Sequence, residues 1–163
     1  MKTNNITQNP IADDKLSNLI LTKANGATYV LLIEVNSFQH LCVGKLGWVN
    51  FEKGYYIYIG SSKKSIKKRL LRHISTYKKK FWHIDYLLSI PHNVKVINIF
   101  INKMDCECKT IQELLKEGGV GTVVRDSFGS SDCNCRSHLL RLDNSHLHLF
   151  YQLMLKMNFY SLL

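Results

Sequence analysis

Two tyrosines stand in strand-like runs, Tyr29 in ATYVLLIEV (27–35) and Tyr58 in GYYIYIG (54–60), and a helix-like segment then carries Arg69 and His73 four residues apart. Side chains alternate across a strand, so tyrosines from neighbouring strands can share one sheet face, and an i, i+4 pair lies along one side of a helix. Gly60 lets the chain swing from the second strand into that helix and bring Arg69 over the tyrosines. Hydrolysis of a phosphodiester needs a base or a positioned water, a cation on the phosphate as charge builds and, as a rule, a metal at the leaving oxygen. The phenols and the guanidinium supply the first two. A phenol titrates near ~10, so as a base it would need neighbouring cations, and Arg69 and His73 are the sources at hand. The competing reading is structural: the tyrosines only pack, and Arg69 lays its stem along the core edge.

The elements that must hold these groups can be read from patterning. The two tyrosine runs have the length and composition of buried strands, and the intervening segment 36–54 suits an elaborated loop of an antiparallel hairpin. Ser65 is placed to cap a helix over IKKRLLRHISTY (66–77), in which Ile66, Leu70, Ile74 and Tyr77 form the expected core stripe. Arg69 and His73 run along its edge, while Lys68 and Arg72 face water. KKKFWHIDYLLSI reads as a second helix stopped by Pro91, NVKVINIFI (93–101) as a third strand, and CECKTIQELLKEGG as a third helix closed by Gly118 and Gly119. The C-terminal HLHLFYQLMLKMNFYSLL is too short and too interrupted for a membrane span, and reads as a packing helix or a homodimer contact. This order predicts an α/β sandwich with a mixed three-stranded sheet flanked by helices. Its expected parts are a loose N-terminal arm over 1–20, a domain over 21–145 and a helical extension over 146–163.

Charge narrows the partner. The 163 residues carry 22 Lys and Arg against 12 Asp and Glu, a net charge of +10, which favours a polyanion, nucleic acid first and an acidic membrane surface second. Lys63, Lys64, Lys67, Lys68, Arg72, Lys78, Lys79 and Lys80 concentrate that charge around the Arg69 helix. They form either a phosphate track or a merely solvated face. The N-terminal residues lack the apolar core of a leader, and the five cysteines are odd in number, so reduced thiols and a cytoplasmic location are expected.

TYVLLI, YIYIGSS and KKRLLRH, taken in order, resemble the GIY-YIG nuclease superfamily. FWHIDYLL, CECK and FGSSDCNCRSHL further resemble an uncharacterised branch known by those extra motifs. The likeness spans about residues 27–141. The first motif lacks its glycine and isoleucine here, and Ser127 stands where the branch usually has glycine before phenylalanine. The resemblance implies a small GIY-YIG-like fold and an endonuclease acting on DNA, or on RNA, without a small-molecule cofactor. Tyr29, Tyr58, Arg69 and His73 would hold catalytic positions, with one Mg²⁺ or Mn²⁺ on a glutamate of the third helix.

Three glutamates compete for that ion. Helical spacing turns Glu107 toward Ile111, Leu114 and Leu115 and turns Glu113 to the opposite side, with Glu117 the third; the branch's CE motif also falls at Glu107. A carboxylate that favours the helix dipole or pairs with a lysine is the structural alternative. Asp132 and His138, from SDCNCRSHL, are candidates to border the site. His83 and Asp85 read as a packing and hydrogen-bonding cluster with His83 also near the border. Cys106, Cys108, Cys133 and Cys135, with His138 close behind, could gather on zinc. Their C-x-C spacing is tighter than finger spacing, and buried reduced thiols are expected instead. The competing functions are a nucleic-acid-binding module without turnover and a zinc-stabilised adaptor.

Overall fold

The computed structural model describes residues 10–116 and 119–163. Helix α1 (Pro10–Lys23) leads into strand β1 (Thr28–Val35), a small ribbon of β2 (Gln39–Cys42) and β3 (Trp48–Phe51), and strand β4 (Gly54–Ser61). Helices α2 (Ile66–Ile74) and α3 (His83–Leu87) follow, then β5 (Val94–Asn102), helix α4 (Glu107–Leu115), β6 (Gly121–Val123), β7 (Leu139–Leu142), helix α5 (Leu147–Lys156) and β8 (Tyr160–Ser161).

The protein is an α/β fold built on one six-stranded sheet in the order β6-β7-β4-β1-β5-β8. Strand β1 is the axis of the fold, buried at every position but Glu34, which is why its sequence reads as an unbroken apolar run rather than an alternation. Its odd residues Tyr29, Leu31 and Ile33 join Tyr56 and Tyr58 of β4 in a core closed by Ile66 and Leu70 of α2 and by Ile84 and Leu87 of α3. Its even residues Val30 and Leu32 pack with Ile57, Ile59 and Phe100 against Ile111 and Leu114 of α4 and Phe150 and Met154 of α5. Helices therefore cover both faces.

The three strands expected from patterning form the middle of this sheet. It is wider than that expectation, and each of its strand pairs is antiparallel. The added strands have two to four residues each, too few for a period of two to declare itself. Pairing β1 with β4 in the expected antiparallel sense sets Tyr29 opposite Gly60 and Leu31 opposite Tyr58.

Several helices are shorter than their patterns. Helix α2 ends at Ile74, and Tyr77, expected in its core stripe, lies outside it and is 87% exposed. Residues expected as a loose arm form α1 instead, whose Ile20 is fully buried; positions 1–9 of that arm lie outside the described residues. The C-terminal segment is integral to the second core: Phe150 and Met154 are fully buried, and β8 pairs with β5. Among the described residues no helix is long and apolar enough to cross a membrane.

Candidate active site

Tyr29 and Tyr58 lie on the sheet face beneath α2, their ring centroids 6.4 Å apart. Gly60 makes that arrangement possible in a way the turn argument missed. It sits opposite Tyr29 in the ladder, and a Cβ there would overlap the phenol ring, so the ring uses the space a side chain would fill. The Tyr29 hydroxyl shares a 2.7 Å hydrogen bond with Nε2 of His73, which is 1% exposed and whose Nδ1 has no partner among the described residues. Burial, helped by the nearby Lys78 charge, pushes the His73 pKa down to about 3, so the imidazole is neutral.

That neutrality corrects one expectation. His73 supplies no positive charge to the tyrosines, and burial holds the Tyr29 pKa well above its ordinary value, with Tyr58 adding to the rise and Arg69 opposing it. Tyr58 is raised as well, by burial first and by the Glu107 charge second. Both phenols keep their protons at neutral pH.

Arg69 and Glu107 meet through a residue that sequence reasoning passed over. Arg69 Nη1 donates to the Ser61 carbonyl at 2.6 Å, and the Ser61 hydroxyl donates to Glu107 Oε2 at 2.8 Å. Ser61 closes β4 one step after Gly60, so the strand end that leads into the helix also joins the guanidinium to the carboxylate. Nδ1 of His138 faces Glu107 Oε1 at 3.2 Å. Burial works to raise the Glu107 pKa, but the contacts from His138 and Ser61 win and hold it below the ordinary carboxylate value. Burial likewise opposes protonation of His138, and Glu107 reverses it, raising that pKa. Glu107 is thus an ionised, 21% exposed carboxylate held at the end of β4 by Ser61 and His138. Glu113 instead pairs with Lys116 at 2.7 Å on the outer side of α4, as helical spacing requires; Glu117 lies outside the described residues.

Helix α3 and the segment before it brace the arginines. The Trp82 ring contacts two guanidiniums, Arg69 at 4.7 Å and Arg72 at 4.8 Å from its centroid. Arg72 donates to the buried Asp85 carboxylate at 2.5 Å, and the same oxygen accepts from the backbone N–H groups of Phe81 and Trp82. Burial would raise the Asp85 pKa, yet these backbone bonds and the Arg72 contact lower it.

Arg72 is therefore part of the scaffold and not a water-facing cation. Lys78 departs from the expected basic face in the same way, because its ammonium donates to the carbonyls of Arg72 and His73 at the end of α2. Burial lowers its pKa to about 8. Lys67 reaches back to the Leu21 carbonyl on α1 at 2.7 Å. Lys63, Lys64, Lys68, Lys79 and Lys80 remain exposed, together with Tyr77 and Phe81 at 87% and 77%.

The segment between β6 and β7 folds over Tyr58. His83 Nδ1 accepts from the Gly129 N–H at 3.0 Å, and the His138 N–H donates to the Phe128 carbonyl, tying the segment to α3 and to itself. Asp132 is exposed at its tip, while His138 is buried beside Glu107. In place of the expected buried thiols, Cys108, Cys133 and Cys135 are only partly buried and converge, with their sulfurs within 4.8 Å of one another. Cys106 stays apart, next to the Thr110 hydroxyl. Spacing could not reveal this because the cysteines come from two segments that only the fold unites.

Hollows of about 420 and 590 Å³ lie elsewhere, one lined by Gly54, Gly121 and Arg141 and the other by Leu46, Val124 and Arg136. Neither includes the tyrosines, Arg69 or Glu107. A family model described as "Domain of unknown function DUF123" matches residues 28–159. No curated protein and no solved structure matches the chain.

Proposed function

This chain belongs to the family described as Domain of unknown function DUF123, and we propose from its site residues that it is a divalent-metal-dependent endonuclease of the GIY-YIG type, acting on DNA. The observation that carries the reading is the junction at Ser61, which links Arg69 to an ionised Glu107 beside Tyr29 and Tyr58. A phosphate drawn to Arg69 would lie within reach of groups that can orient a water and hold an ion. One partly buried carboxylate with a neighbouring hydroxyl is a hard oxygen set, the kind on which Mg²⁺ or Mn²⁺ completes its shell with water and substrate oxygens. When bound, such an ion would polarise the phosphate and ease departure of the leaving oxygen.

The protein groups would then divide the work. With Nε2 of the neutral His73 as acceptor, the Tyr29 hydroxyl would keep its lone pairs free to accept from an attacking water and orient it. Arg69 stabilises charge on the phosphate oxygens. The exposed lysines, with Tyr77 and Phe81 interleaved among them, would follow a nucleic-acid strand by charge and by base stacking.

Glu107→Gln keeps a hydrogen-bonding side chain but removes the charge, and is expected to lower Mg²⁺-dependent cleavage of DNA at least ~10²-fold. DNA binding and the folded state should persist. Cleavage at the native rate in that variant, or undiminished cleavage under chelation, would sink the enzymatic reading. A binding module without turnover is the second reading, favoured by the raised pKa of both phenols; it predicts binding with no cleavage of plasmid, branched or single-stranded substrates in either metal.

A further inference from the structure

We propose that Cys108, Cys133 and Cys135 hold a structural zinc ion that pins the β6–β7 segment to the first turn of α4, with His138 Nε2 as the fourth donor. All three sulfurs lie within 4.8 Å of one another, none is in a disulfide, and each is partly buried. Tetrahedral zinc with Zn–S bonds of ~2.3 Å places sulfurs ~3.8 Å apart, so modest side-chain rotation closes the observed triangle on a metal. Three thiol sulfurs form a soft donor set, which selects zinc over the hard cations suited to Glu107.

His138 supplies the second, independent sign. It is 2% exposed, and its Nε2 is 3.1 Å from Cys133 Sγ while its Nδ1 faces the Glu107 carboxylate at 3.2 Å. A carboxylate on the far nitrogen is how proteins orient a histidine that ligates through the near one. The fold also has a need for the link. Residues 124–138 form no helix or strand, and Phe128 is their one fully buried apolar side chain, so little burial energy holds them over Tyr58. A metal bridging sequence positions 108 and 133–135 would cross-link that segment to the helix carrying Glu107.

The site is tested without reference to catalysis. Elemental analysis of protein prepared with zinc should find about one ion per chain. The cobalt form should show thiolate charge-transfer absorption together with tetrahedral visible bands. Cys108→Ser, Cys133→Ser and Cys135→Ser should each weaken that absorption, and His138→Ala should shift the visible bands. Cys42→Ser and Cys106→Ala should leave the spectrum unchanged.

Because a ligand variant can fail to fold, the native chain is also titrated with a thiol reagent. Three thiols should become reactive together as chelator releases the metal, and the melting temperature should fall. No zinc uptake by the reduced folded chain, an octahedral cobalt spectrum, or a disulfide among the three cysteines in its place would overturn the proposal. A cobalt spectrum indifferent to His138→Ala would overturn the fourth ligand.

Discussion

The Tyr29–His73 contact shows how much one buried atom can decide. Both residues are at most 1% exposed, so neither can answer pH as a free side chain would, and their 2.7 Å hydrogen bond fixes the phenol's orientation. Tyr29→Phe removes the hydroxyl but keeps the ring over Gly60. Under the nuclease reading it is expected to cut the cleavage rate ~10²-fold while leaving DNA affinity nearly unchanged, in single-turnover assays. An affinity loss equal to the rate loss would mark Tyr29 as a binding group.

What the sequence revealed at this scale followed contact range. Arg69 and Glu107 could be singled out because helical spacing shows which way a side chain turns. Arg72 and Lys78 were misread as solvent-facing because their partners, the Asp85 carboxylate and the last carbonyls of α2, are set by a bend in the chain that no helical wheel contains.

Among the elements, β1 and β4 were the most legible, since a buried central strand needs an apolar run and its neighbour an alternation of ring and aliphatic faces. Strands β6, β7 and β8 exist through pairing rather than composition, which hid them. The β6–β7 segment gives Ser127 a meaning that spacing alone could not: its φ is +62°, in the left-handed region. Glycine adopts that conformation without the cost a Cβ imposes. Ser127→Gly should therefore stabilise the fold by about 0.5–1 kcal/mol, the relief of left-handed strain exceeding the unfolded-state entropy of glycine. Denaturant unfolding at constant slope measures it, and a loss of stability would show that the serine side chain contributes more than its backbone costs.

For the whole molecule, charge and pH supply the tests. The net charge of +10 is concentrated partly on Lys63, Lys64, Lys68, Lys79 and Lys80. Replacing these five with glutamine should flatten the dependence of log DNA affinity on log salt by up to ~4.5 units if all five meet phosphates. An unchanged slope would place the binding face elsewhere.

Acid stability carries a clear sign. With its folded pKa near 3 against an ordinary 6.5, His73 takes up a proton only on unfolding between those values, so stability falls as pH drops through that window. Asp85 and Glu107, both lowered, stabilise the fold above the ordinary carboxylate range and lose that contribution as pH falls through their folded values. In the chain without zinc, His138, raised by Glu107, acts oppositely: its contribution is present below its ordinary pKa and fades as pH rises through the folded one. His73→Gln cannot be protonated and should flatten the stability slope between pH 6 and 4.5 by up to about 1.4 kcal/mol per pH unit; an unaltered slope would assign acid sensitivity to the carboxylates alone.

The chain has two tryptophans, and they sit in different optical environments: Trp48 is 63% exposed, whereas the Trp82 ring contacts the Arg69 and Arg72 guanidiniums. A Trp48→Phe chain would leave a lone indole emitter whose brightness depends on where those two cations rest. Any anion that draws Arg69 off the ring would thus announce its arrival as a change in ultraviolet fluorescence, with no label attached.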